Sequence, residues 1–225
     1  MKQTLTAALI LSSLILTACG KKTEPTAADA APAAATEESS GAAAPAATTE
    51  PSEQDAERAK KQALMDYATM EDQYINDTHA QWADAAKASS EFGDDDGESA
   101  DSNKAKNVAG AIDGKTWTNN HQDVGMDWIE TTFAKPVAAT EVRVVFQGGE
   151  GAEAVSKVEL QDTQGKWNTV WSGLSDVKQD DRGSRTWFVR KFDKTAYQAK
   201  AAKITIANNV QRGYKVIDAV QLVGE

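Results

Sequence analysis

The chain has 225 residues, a formal net charge of −10, one cysteine and two histidines. At roughly 150 residues per domain, that length holds one full domain with additional chain attached. The acidity and the lack of a dense basic patch argue against a nucleic-acid partner. The cysteine and histidine counts exclude a disulfide framework, a thiolate cluster and a multi-histidine metal site. The aromatic residues locate the domain. All six tryptophans and all five phenylalanines follow His79, whereas Pro25, Pro32, Pro45 and Pro51 precede it amid dense alanine.

The apolar run Leu5 to Ala18 behind Met1-Lys2 is too short to span a bilayer and reads as a signal segment over residues 1–18. Its end, Leu16-Thr17-Ala18-Cys19, resembles a bacterial lipobox. The resemblance implies cleavage before Cys19, with lipid on its thiol and on the new amino terminus. Several acyl chains on one residue anchor stably where a single chain does not. Gly20 stands where an aspartate would resemble an inner-membrane retention signal, which favours the outer membrane if the envelope is Gram-negative. An ordinary secretory signal that happens to contain a cysteine is the alternative. Residues 19–51 lack leucine, isoleucine, valine and aromatic side chains, so nothing there offsets the entropy of ordering, and a disordered spacer is expected.

A helix is expected over residues 52–76. Ser52 is placed to cap it with Asp55 three residues on, and Asn76-Asp77-Thr78 should end it. Ala56, Ala59, Ala63, Tyr67, Met70 and Tyr74 recur at spacings of three and four, the mark of an amphipathic helix with a narrow apolar stripe. That stripe docks on the following domain, or the helix simply stiffens the tether, or it meets a partner helix as in a coiled coil.

From Trp82 the period falls to two. Val142, Val144 and Phe146 share a face, as do Val158 and Leu160, Ile204 and Ile206, and Val220 and Leu222. Turn signals separate these runs: Gly148-Gly149, Asp162 to Gly165, Ser172-Gly173, Asp180 to Gly183 and Arg212-Gly213. Short strands without intervening helices predict an all-β domain over residues 82–225, an antiparallel sandwich. Its terminal strands, Ala85–Phe92 and Lys215–Val223, are expected to pair and close the domain.

Several fragments carry a resemblance, in order: Ala88-Ser89-Ser90, Val108 to Trp117, Asp127-Trp128-Ile129-Glu130, Pro136-Val137, Val158-Glu159-Leu160, Gly165 to Trp171, and Ile217 to Gly224. Together they resemble the coagulation-factor type C (discoidin, galactose-binding-like) domains. The resemblance implies a jelly-roll β-sandwich, no catalytic activity of its own, and binding of carbohydrate or membrane-surface ligands through loops at one end. It also implies one structural calcium ion, with Asp113, Thr116 and Asp218 at the matching positions. Asp218 is shorter than the glutamate found in many members, and an Asx-turn at Gly114 is the plainer role for Asp113. The acidic run Asp94 to Glu98 misses the EF-hand spacing and reads as a solvated loop.

Trp117 and Trp128 match core positions of the family and are assigned to packing. Trp167 and Trp171, four apart on one predicted strand, are also assigned to the core. Candidate ligand residues therefore come from loops: Asn120 and His121, Arg182 and Arg185, and Tyr214. A sugar site needs an aromatic face beside polar groups, and the sequence near His121 supplies only Trp117. No Gly-x-Ser-x-Gly, phosphate loop or His-Glu-x-x-His is present, so no catalytic constellation is expected. Two readings stay open: an envelope lipoprotein displaying a glycan-binding module, or an adaptor that docks a protein complex through helix 52–75 and the sandwich.

Overall fold

The computed structural model describes residues 52–93 and 103–225. The expected signal, the lipidated Cys19, the spacer and the acidic loop Asp94 to Glu98 lie outside the described residues.

Helix α1 runs over Glu53–Ile75. Its alanine, glutamate, glutamine and lysine content favours helix. The Ser52 hydroxyl accepts the Asp55 N–H at one end, and Asn76 closes the other through its backbone N–H to the Asp72 carbonyl. Ten strands follow: β1 Ala80–Trp82, β2 Ala85–Ala88, β3 Trp117–Thr118, β4 Met126–Val137, β5 Ala139–Gln147, β6 Val155–Asp162, β7 Trp167–Ser172, β8 Arg185–Lys191, β9 Ala199–Ala207 and β10 Val216–Gly224. All pairings are antiparallel. One sheet (sheet A) has the order β1-β10-β5-β8, with β3 also on β10; the other (sheet B) is β2-β4-β9-β6-β7. The expected antiparallel sandwich is therefore the fold.

The inner faces meet in one apolar layer. Val142, Val144 and Phe146 of β5 pack with Val220 and Leu222 of β10 and with Val158, Leu160, Ile204 and Ile206 of sheet B, all fully buried. The period-two reading placed these side chains correctly.

Closure differs from expectation. Three residues ahead of the predicted first strand pair with β10, Ala80 opposite Val223 and Trp82 opposite Gln221. Ala85–Ala88 instead joins β4 at the edge of sheet B. Asp84, between the two, donates its N–H to Thr132 as the chain passes between sheets. Three residues carry too short a pattern to register as a period.

Helix α1 lies on the outer face of sheet A. Tyr67, Met70 and Tyr74 pack against Val145, Trp187, Ala219 and Trp82, so the stripe docks within the chain. Ala56 and Ala59, its first members, are exposed. Tyr67 is buried and Met70 and Tyr74 half-buried; full burial of a large apolar side chain is worth about 1.5–3 kcal/mol, and partial burial a fraction of that. Under the helix, Glu71 Oε1 gathers the Trp187 indole N–H (3.3 Å) and Arg185 Nη1 (3.2 Å). The Tyr67 hydroxyl donates to the Arg185 carbonyl at 2.9 Å, and the Arg143 guanidinium lies 4.3 Å from the Tyr74 ring centroid. Burial and the Glu71 charge push the Tyr67 hydroxyl up to about 12.

Candidate functional site at the loop end

At one end of the sandwich β2 finishes, β4 and β10 begin and β9 ends. Asp127, the second residue of β4, points inward there with 1% of its side chain exposed. Burial would raise its pKa, but four donors more than offset that and hold the carboxyl at about 2. The Ser89 and Ser90 hydroxyls donate to Oδ1 at 2.7 and 2.9 Å. The Asn119 and Asn208 amides donate to Oδ2 at 3.0 and 2.9 Å. One ionised carboxylate thus ties the end of β2, the loop after β3 and the end of β9 together.

His121 sits above it. Its Nδ1 lies 3.3 Å from Asp127 Oδ1. The ionised carboxylate has no proton to give, so Nδ1–H donates and Nε2 is the ring's remaining polar atom, on a side chain 56% exposed. Both serine hydroxyls go to the carboxylate, so the cluster is not laid out as a nucleophile–histidine–acid relay.

A second buried charge braces the neighbouring loop. Lys215 is fully buried, and its Nζ donates to the carbonyls of Gln122 (2.9 Å) and Gly213. Burial lowers its pKa, against the charges of Asp123, Asp127 and Glu150. Its backbone N–H donates to Asn119 Oδ1 at 2.7 Å, which places Tyr214 beside the Asp127 cluster. Gly151, at φ +116, lets the chain pass close to Phe146 and to Lys215 Cβ, where a side chain would collide.

The aromatic wall missing from the sequence around His121 is assembled from two distant segments. Phe92 and Tyr214 meet edge to face with centroids 4.8 Å apart, and Phe92 is 38% exposed. The Phe92 N–H donates to the Thr118 carbonyl (2.8 Å) and the Gly93 N–H to Asn120 Oδ1 (3.4 Å), so the pair adjoins Asn120, the residue before His121. Trp117, fully buried, donates its indole N–H to the Ser90 carbonyl and forms the floor.

Of the expected ligand residues, Asn120, His121 and Tyr214 converge here. Arg182 and Arg185 do not, because both are engaged beneath α1. Arg182 makes a two-point pair with Asp180 (2.8 and 2.7 Å) 5.7 Å from the Tyr67 ring centroid, and Arg185 pairs with Glu71. The sequence reading missed Asp127, Lys215 and Phe92. Asp127 and Lys215 carried a signal: each is a charged residue in the inward phase of a strand otherwise marked by Ile129 or Ile217.

Of the three candidate calcium residues, Asp113 and Asp218 have their carboxylates engaged by protein groups. Asp218 is buried and accepts the Asp113 N–H at 3.3 Å, while the Asp113 carboxylate takes the Lys115 N–H (2.9 Å) and ammonium (2.8 Å). Asp113 thus makes the Asx-type turn. Burial raises the Asp218 pKa, against the Asp113 and Gly114 N–H groups and the Arg185 charge. Calcium takes six to eight oxygens, and the two carboxylates here are directed to a backbone N–H and to a lysine.

Two tryptophans also depart from the reading. A register shift between Val158 and Glu159, opposite Trp171 and Thr169, turns Trp171 to the core, where it meets Phe188 edge on at 5.5 Å. Trp167, beyond the shift, faces out of sheet B with Trp128, and both flank Lys203. Four-residue spacing shares a face only in an unbroken strand.

No protein-family model matches the sequence, and no curated protein matches it. Among solved structures, the chain is similar to chitosan-binding module 1 derived from chitosanase/glucanase from Paenibacillus sp. IK-5. That pair is 13% identical with a TM-score of 0.47, covering 63% of this chain and 96% of the module. It is similar to a family 32 carbohydrate-binding module from C. perfringens in complex with galactose (15% identity, TM-score 0.46, 64% and 98% covered). The F5/8 type C domain of a Bacteroides fragilis protein gives 17% identity and a TM-score of 0.48, with 66% and 98% covered.

Proposed function

We propose that the chain is a non-catalytic, lipid-anchored envelope protein that displays a glycan-binding sandwich, with its ligand site at the loop end. The observation that carries this reading is His121, held by the buried Asp127 carboxylate next to Asn120 and the Phe92–Tyr214 pair. An aromatic face for the C–H side of a sugar, adjoining fixed polar groups for its hydroxyls, is what such a ligand requires. Lipid on Cys19 with the spacer over residues 19–51 would hold the module at the outer membrane and raise its effective concentration there. The adaptor reading is weakened because Tyr67, Met70 and Tyr74 are already used against sheet A.

The test is a glycan array probed with the chain, followed by titration of each hit against His121→Ala and Tyr214→Ala. The expected result is binding that falls at least tenfold in both variants, about 1.4 kcal/mol each. A silent array, or hits indifferent to both substitutions, would sink the reading. Membrane fractionation of Cys19→Ala tests the anchor separately; the variant is expected in the soluble fraction.

A further inference from the structure

The outer faces of the two sheets differ in kind. Sheet A carries Val145, Trp187 and Ala219 outward and α1 covers them. Among the described residues no helix packs on the outer face of sheet B, yet that face carries two of the six tryptophans. Trp128 stands on β4 and Trp167 on the edge strand β7. Between them Lys203 of β9 places its Nζ 5.1 Å from one ring centroid and 4.4 Å from the other.

The registers add a row of alternating charge through the same point. Lys87 is opposite Glu130, Glu130 opposite Lys203, and Lys203 opposite Glu159. Lys87 Nζ lies 2.9 Å from Glu130 and Lys203 Nζ 3.4 Å from it, while Glu159 pairs with Lys157 at 3.0 Å. Three ammoniums (Lys87, Lys203 and Lys157) stand among two carboxylates, all of them paired, so the row carries one net positive charge and no block of one sign that would select a polyanion or a polycation. What it offers is a half-buried indole at each end, with the Lys203 ammonium between the two rings, and alternating donors and acceptors along the row. That pattern complements a chain of uncharged rings with C–H faces and hydroxyl rims.

From this juxtaposition we infer a second ligand surface: the outer face of sheet B, from Trp128 across Lys203 to Trp167, binds an uncharged polysaccharide chain. It is separate from the loop-end site and shares with the proposed function only the class of ligand.

The test is affinity electrophoresis of the full chain through gels containing xyloglucan, galactomannan or laminarin. At least one polymer is expected to retard the protein. Trp128→Ala and Trp167→Ala should each weaken that retardation at least tenfold. Trp167 lies on an edge strand, so Trp167→Ala carries the test if Trp128→Ala fails to fold. No retardation by any of the three overturns the inference, as does retardation that survives both tryptophan changes. Retardation lost only in His121→Ala would overturn it while leaving the loop-end reading standing. A change of oligomeric state in Trp167→Ala, without a change in retardation, would assign the face to self-association instead.

Discussion

Replacing Asp127 with asparagine tests the argument about the loop end most directly. The side chain keeps its shape and loses its charge. The carboxyl's fall from the ordinary 3.8 to about 2 corresponds to about 2 kcal/mol of preference for the ionised form within the fold. Because the side chain is 1% exposed, solvent screening removes little of this. Asparagine also turns an amide donor toward Ser89, Ser90, Asn119 or Asn208, all of which donate there now, and an unmatched buried donor costs about 1–3 kcal/mol more. A total near 3–5 kcal/mol lowers the melting temperature by roughly 6–20 °C in a domain of this size. The folded pKa lies below the unfolded one. The wild-type advantage is therefore complete above about pH 4 and lost as pH falls toward 2. Thermal melts of both proteins at pH 7, 4 and 2.5 measure it. The gap should be largest at pH 7 and narrow with acid. Equal melting at pH 7, or a gap that ignores pH, would refute the reasoning.

Asp218 predicts the opposite sign. Its raised pKa means that the ionised form is a burden in the fold, complete above the folded value and relieved as pH falls through it. Asp218→Asn is therefore expected to melt at or above the wild-type temperature at pH 7, and millimolar calcium to leave wild type unchanged. A calcium-dependent rise that Asp218→Asn abolishes would restore the cage. Gly183→Ala would place a methyl carbon 2.2–2.7 Å from Tyr67 ring and hydroxyl atoms. The expected result is release of the docked half of α1, seen as a red shift of Trp187 and Trp82 fluorescence while the far-ultraviolet strand signal persists. Arg182→Ala and Arg185→Ala should loosen α1, lowering the melting temperature by a few degrees, yet leave any glycan titration unchanged. A tenfold loss of affinity in either would return these arginines to the ligand site.

Local pattern was enough for the core. The inward phases of β5, β6, β9 and β10 were legible because one face of each strand is apolar and the period of two is fixed by the backbone. The capped helix was legible as well, since Ser52, Asp55 and Asn76 act within one turn of the ends they satisfy. Trp128 and Trp167 went astray because an aromatic residue in a strand does not reveal which sheet face carries a cover. A register shift of one position in β7 then reversed the relation between Trp167 and Trp171.

The sequence by itself thus determined the all-β sandwich, its apolar interior, the capped α1 with its apolar stripe and the place of His121 in a polar loop. Tertiary structure alone decided the site. Asn119 and Asn208 are brought to the Asp127 carboxylate, and Phe92 to Tyr214, by strands far apart in the chain. It likewise assigned Arg182 and Arg185 to the helix and left two tryptophans half-buried on the outer face of sheet B. Pairing between distant segments depends on register and on which faces are covered, and neither quantity is written in any local run of residues.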